Sequence, residues 1–121
     1  MRDRGADQRP GGEKHQKGQV TASIKKRANH LWEIAGDLVI HTVPLVLDQG
    51  RGLFAKGAET VVDLNKVERI DSAGLALLIE WMRLARRQRM SLRFQNIPER
   101  MWAIAEVCGL EQILPKEAFK G

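Results

Sequence analysis

Residues 69–82 read RIDSAGLALLIEWM, and they hold the densest group of side chains suited to chemistry in this chain. Asp71 and Ser72 set a carboxylate beside a hydroxyl, at the head of an apolar run whose one charge is Glu80. A helix start leaves backbone N–H groups unpaired, and Asp and Ser side chains accept hydrogen bonds from them. A negative charge there also meets the positive end of the helix dipole. Gly74 permits the close approach of another backbone. On these grounds alone Asp71-Ser72-Ala73-Gly74 is a well-capped helix start.

The other reactive residues offer little to a catalyst. His15, His30 and His41 are scattered, and none stands at metal-ligand spacing from another. Gly50-Arg51-Gly52 lacks the downstream glycine and the strand-to-helix setting of a phosphate loop. Ser72 has no base visible in the sequence. Asp63 and Asp71 both fall at expected strand ends and can lie close, but a working carboxylate pair also needs a pocket. Cys108 is the single cysteine, which rules out an internal disulfide and a cysteine zinc site. It precedes Gly109 at an expected helix end, where the dipole disfavours a thiolate, so a buried, inert thiol is expected. We expect no enzyme activity, no cofactor and no metal.

The elements that position these residues follow from periodicity. Leu31 to Ala35 alternates, Gly36-Asp37 is a turn signal, and Leu38-Val39-Ile40 follows, which predicts a β-hairpin. Thr42 is a good N-cap before Pro44, and an imperfect apolar stripe predicts a helix ending near Gly57, weakened by Gly50 and Gly52. Val61 to Leu64 predicts a strand, with Val67 to Ile70 as a turn or its extension. A long helix is predicted from Ser72 to Arg89, a strand over Ser91–Asn96, and a helix opened by Pro98 and stopped by Gly109. Ile113-Leu114-Pro115 closes the chain. Strands alternating with helices indicate an α/β layer with partly parallel strands.

The long helix carries more apolar surface than one sheet face requires. Leu75, Leu78, Ile79, Met82 and Ala85 form a core stripe. Leu77, Trp81 and Leu84 form a second, displaced around the helix. It is covered by a neighbouring helix, by a partner or by nothing; a Trp there is either core packing or a partner surface, where Trp is enriched at interface hot spots.

The chain has 121 residues, enough for one domain. Its net charge of +5 is not spread evenly. The first 30 residues hold eight Lys/Arg against three Asp/Glu, whereas the remainder is neutral. Residues 1–28 therefore read as a disordered basic tail and residues 29–121 as the folded domain. A basic arm on a neutral body is not a specific nucleic-acid groove. No apolar stretch approaches the roughly 20 residues of a membrane span, and the first residues lack the apolar core of a signal peptide.

Val61-Val62-Asp63-Leu64, a short connector and then Ile70-Asp71-Ser72-Ala73-Gly74-Leu75-Ala76-Leu77-Leu78 resemble the signature of STAS domains. That family includes bacterial anti-anti-sigma factors. The Gly-Leu-Ala-Leu-Leu extension is similar to the MlaB type, the small STAS subunit of an ABC complex that moves phospholipids between the two membranes of Gram-negative bacteria. The resemblance covers about residues 31–115. It implies a small mixed β-sheet with helices mainly on one face.

The resemblance also implies a role for Ser72. In anti-anti-sigma factors the matching serine is phosphorylated by a partner kinase. In MlaB-like subunits the residue there, commonly Thr, contacts the ATPase subunit, and here it is Ser. The expected site is thus Ser72 with Asp71, Ala73 and Gly74, and a partner face of Leu75, Leu77, Trp81 and Leu84. The expected partner is the ATPase subunit of an ABC transporter in complex with its permease, at the cytoplasmic face of the inner membrane. The alternative is an anti-sigma kinase.

Overall fold

The computed structural model describes residues 21–119. Four strands form one sheet in sequence order: β1 (Ala22–Ala28), β2 (Leu31–Leu38), β3 (Glu59–Ile70) and β4 (Ser91–Gln95). β1 and β2 are antiparallel, whereas β2 with β3 and β3 with β4 are parallel. The helices α1 (Val43–Gln49), α2 (Ser72–Arg87) and α3 (Glu99–Cys108) connect or follow these strands, and short 3-10 segments span Gly50–Leu53 and Lys116–Ala118. The architecture is the expected mixed α/β layer.

Burial alternates along the strands as a one-sided layer requires. Ile24, Ile34, Val62, Leu64 and Phe94 are buried with Leu75, Leu78, Trp81 and Met101 of the helices. In the row between them, Lys25, Glu33, Asp63 and Gln95 stand opposite one another on the other face. That face is polar, so the helices share the apolar one.

Three expectations are corrected here. The tail does not extend to residue 28: Ala22–Ala28 is edge strand β1. Ala22 and Ile24 face the core, while exposed Lys25, Lys26 and Arg27 blunt the edge. Residues 1–20 of the expected tail lie outside the described residues. The hairpin turn is not at Gly36-Asp37. It falls between β1 and β2, where His30 takes a φ of 68°. Gly36, at φ 95°, is instead an irregularity within β2, and the Asp37 N–H donates to the Thr21 carbonyl at 2.9 Å.

The third correction concerns α1, which stops at Gln49 rather than near Gly57 and tightens into the 3-10 turn. A Cβ on Gly50 would lie 2.9 Å from the Trp81 ring, so this glycine lets the turn close over α2. Thr42 does not cap α1 with its side chain. Its buried hydroxyl instead accepts from the Val39 N–H at 3.0 Å and donates to the Asp37 carbonyl. Val67 to Ile70 extends β3 to twelve residues. This long strand delivers Asp71 to the head of α2.

Candidate functional site

Asp71 sits in extended conformation directly after β3 and caps α2. Its Oδ1 accepts from the Ala73 N–H at 2.8 Å and the Gly74 N–H at 3.4 Å. Its Oδ2 accepts from the Ile40 N–H at 3.0 Å. One carboxylate therefore starts the helix and ties down the segment after β2. Gly74 completes this junction: a Cβ there would lie 2.6 Å from the Leu38 carbonyl oxygen. The close backbone approach expected of Gly74 is real, and Leu38 is its partner.

Ser72 is the first helical residue and is exposed. Among the described residues its hydroxyl has no hydrogen-bond partner, so the side-chain cap is Asp71 alone. Beside this hydroxyl runs the segment held by Asp71. Ile40 is 64% exposed and Leu45 47%, with Leu47 also exposed. Three of the five large exposed apolar side chains among the described residues therefore lie in the stretch 40–47. This exposed apolar stretch escaped the sequence pattern. An apolar side chain in a short helix looks the same whether it faces the core, as Val46 does, or solvent. The one available signal was the apolar excess of α1 over what a seven-residue helix can bury.

The partner face expected on α2 is largely internal. Leu75, Leu77 and Trp81 are 1%, 3% and 1% exposed, and Leu84 is half-buried. The second stripe is covered by α1 and the 3-10 turn. Phe54 meets Trp81 edge-on, with ring centroids 6.0 Å apart. A shallow apolar groove of about 500 Å³ remains beside this packing, lined by Pro44, Leu47, Phe54, Trp81 and Leu84 together with the Asp48–Arg51 ion pair.

The remaining chemical candidates are dispersed. Asp63 and Asp71 do not form a pair. They lie eight positions apart on and just beyond one strand, roughly 25 Å at the usual strand rise. Asp63 accepts instead from Gln95 Nε2 at 3.0 Å, Asn96 Nδ2 at 3.1 Å and the Asn65 N–H at 2.8 Å, which ties β3 to β4 on the polar face. Cys108 is exposed, not buried, because α3 ends there and turns at Gly109 with φ 73°. Among the described residues no group of three His, Cys, Asp or Glu side chains is arranged to hold a metal ion. No helix among them is long and apolar enough to cross a membrane.

Comparison with known proteins agrees with this geometry. A family model described as "Mlab, STAS domain" matches residues 22–115, the described domain from β1 to the last turn. The chain is 25% identical over 96 residues to the anti-sigma-B factor antagonist of Bacillus subtilis, covering 78% of this chain and 88% of that protein. It is 33% identical over 58 residues to the intermembrane phospholipid transport system binding protein MlaB of Escherichia coli. That alignment covers 47% of this chain and 60% of the relative. An exposed serine on a capped helix, a mixed sheet and a family match across nearly all described residues lead to one conclusion: the chain belongs to the MlaB, STAS domain family.

Proposed function

We propose that this protein is a non-enzymatic docking subunit of an ABC phospholipid transport system. It sits in the cytoplasm, at the inner membrane through its complex, where it binds the ATPase subunit and supports its assembly or activity. The observation that carries this reading is the exposed Ser72 hydroxyl at the head of α2, without a hydrogen-bond partner among the described residues, beside the exposed Ile40 whose N–H the Asp71 carboxylate holds. A small hydroxyl beside an exposed apolar side chain suits a packed protein contact, because the hydroxyl is cheap to bury once it meets a partner group. Similarity to MlaB, a phospholipid transport system binding protein, supports the choice of partner.

The test is co-purification with the ATPase subunit. Ser72→Arg and Ile40→Asp should each abolish capture while the thermal melt stays at the wild-type value. Both side chains point into solvent, so neither change disturbs the core. Capture retained by both variants refutes the site. Leu77→Asp and Trp81→Asp are unsuitable, since a buried charge would unfold the domain.

A second reading has a specific observation behind it. The aligned anti-sigma-B factor antagonist is matched over most of its length, and residue 72 is Ser. In this reading the protein is an anti-anti-sigma factor switched by a kinase. Phosphorylation of Ser72 would add about −1.5 to −2 charges at a helix N-terminus, which the dipole tolerates. Pressing that dianion against an apolar partner would be costly without a cation. Phosphate on Ser72 after incubation with a cognate anti-sigma kinase would favour this reading. Failure of every such kinase to bind or modify the protein would remove it.

A further inference from the structure

The end of the molecule opposite Ser72 gathers positive charge. β2, β3 and β4 are parallel and start at this end, and α2 runs back to it from the far end of β3. Backbone hydrogen bonds join the pieces: the Gly57 N–H to the Gln88 carbonyl at 3.0 Å, the Ser91 N–H to the Ala58 carbonyl at 2.8 Å, and the Val61 N–H to the His30 carbonyl at 2.7 Å. Lys56, Arg86, Arg87, Arg89 and Arg93 therefore all lie at this end, Arg93 on the polar face of the sheet and the rest around the tail of α2. All five are exposed, and none belongs to an ion pair among the described residues. Two arginines in the last turn suffice to complement the helix dipole, so the others exceed what α2 needs.

A polar recess of about 380 Å³ opens at the same end, lined by His30, Glu59, Thr60, Val61, Ser91 and Arg93. His30 Nδ1 lies 2.8 Å from the Glu59 carbonyl oxygen, which makes Nδ1 the donor of this contact. Arg93 and the Ser91 hydroxyl supply donors. The Glu59 carboxylate is the one acid of the recess, against five exposed cations around this end.

We infer that this end binds the anionic headgroups of a phospholipid surface, with the recess inside the footprint. The choice of lipid rather than nucleic acid rests on the docking reading above and on one further observation. The apolar groove with exposed Leu47 reaches Gln88, between Arg87 and Arg89, so apolar surface borders the cations at the tail of α2. That combination matches a headgroup boundary, where charge and apolar contact act together. Because the basic end and Ser72 lie at opposite ends of α2, partner docking and headgroup contact are compatible.

The experiment is flotation of the full chain with vesicles of phosphatidylcholine doped with phosphatidylglycerol, against vesicles of phosphatidylcholine alone. Wild type should float with the anionic vesicles only, and salt should release it. The triple variant Arg86→Gln, Arg89→Gln, Arg93→Gln removes three charges, and each is worth about fivefold in partition near an anionic surface, so binding should fall about a hundredfold. Its melt and its capture of the ATPase subunit should match wild type, while Ser72→Arg should keep the melt and the vesicle binding and lose the capture. The two readings therefore fail separately. Unchanged vesicle binding by the triple variant overturns the inference, because the cations would then lie elsewhere in the chain. Equal binding to both vesicles, no binding by wild type, or binding of duplex DNA without vesicle binding overturns it as well.

Discussion

Replacing Asp71 by Ala tests the junction on which the site is built. The carboxylate accepts three backbone N–H groups, from Ala73, Gly74 and Ile40. The Gly74 contact is long at 3.4 Å and contributes little. Losing an N-cap costs about 1 kcal/mol. Losing the charge-assisted bond to Ile40 adds roughly 1 kcal/mol, less than a buried bond of this kind, because Ile40 is exposed and water replaces the acceptor. The sum is about 2 kcal/mol, which for a domain of this size lowers Tm by about 10 °C. Asp71→Asn keeps a good cap and should cost about 0.5 kcal/mol. Thermal unfolding followed by circular dichroism measures both variants, and hydrogen exchange at the Ile40 amide reports the released segment directly. An Asp71→Ala melt indistinguishable from wild type, with Ile40 exchange unchanged, would refute the reasoning.

Trp81→Ala should cost about 3–5 kcal/mol in urea unfolding, because the ring is buried against Phe54 and Gly50. A loss near zero would mean that the groove side of α2 is open in solution. Gly74→Ala forces a Cβ to within 2.6 Å of the Leu38 carbonyl and should destabilise by about 1–3 kcal/mol, read from the same denaturation curves, although alanine is the better helix former. Cys108 should be labelled by a maleimide in the folded protein, without denaturant, since it is exposed at the end of α3. Protection until unfolding would contradict the placement.

The strongest local signals were also the most legible ones. Asp71, Gly74 and the long apolar run define α2, its cap and its close contact, because each depends on chemistry within a few residues. Gly109 ends α3 in the left-handed conformation expected of a helix stop. Strand β1 was hidden because Ala22 and Ile24 are its only buried residues, set among exposed basic ones. Gly36-Asp37 carries a genuine turn dipeptide, yet pairing with β1 and β3 on both sides keeps β2 continuous.

The fate of the second α2 stripe was undecidable from sequence. Whether Leu77 and Trp81 meet a partner or their own chain depends on the 3-10 turn at Gly50, some thirty residues away along the chain. The same long-range packing moved the exposed apolar surface from α2 to residues 40–47. Ser72 itself was read from its type and its place in the motif, and the structure puts it at the head of α2 in solvent.

The central claim is that the head of α2 docks the ATPase subunit of a phospholipid ABC transporter. Affinity capture from the native cell, read by mass spectrometry for wild type and Ser72→Arg in parallel, tests it most directly. The account predicts that wild type recovers an ABC ATPase together with its permease, and that Ser72→Arg recovers neither. Recovery of a small kinase instead, with phosphate on Ser72 of the captured protein, would contradict it.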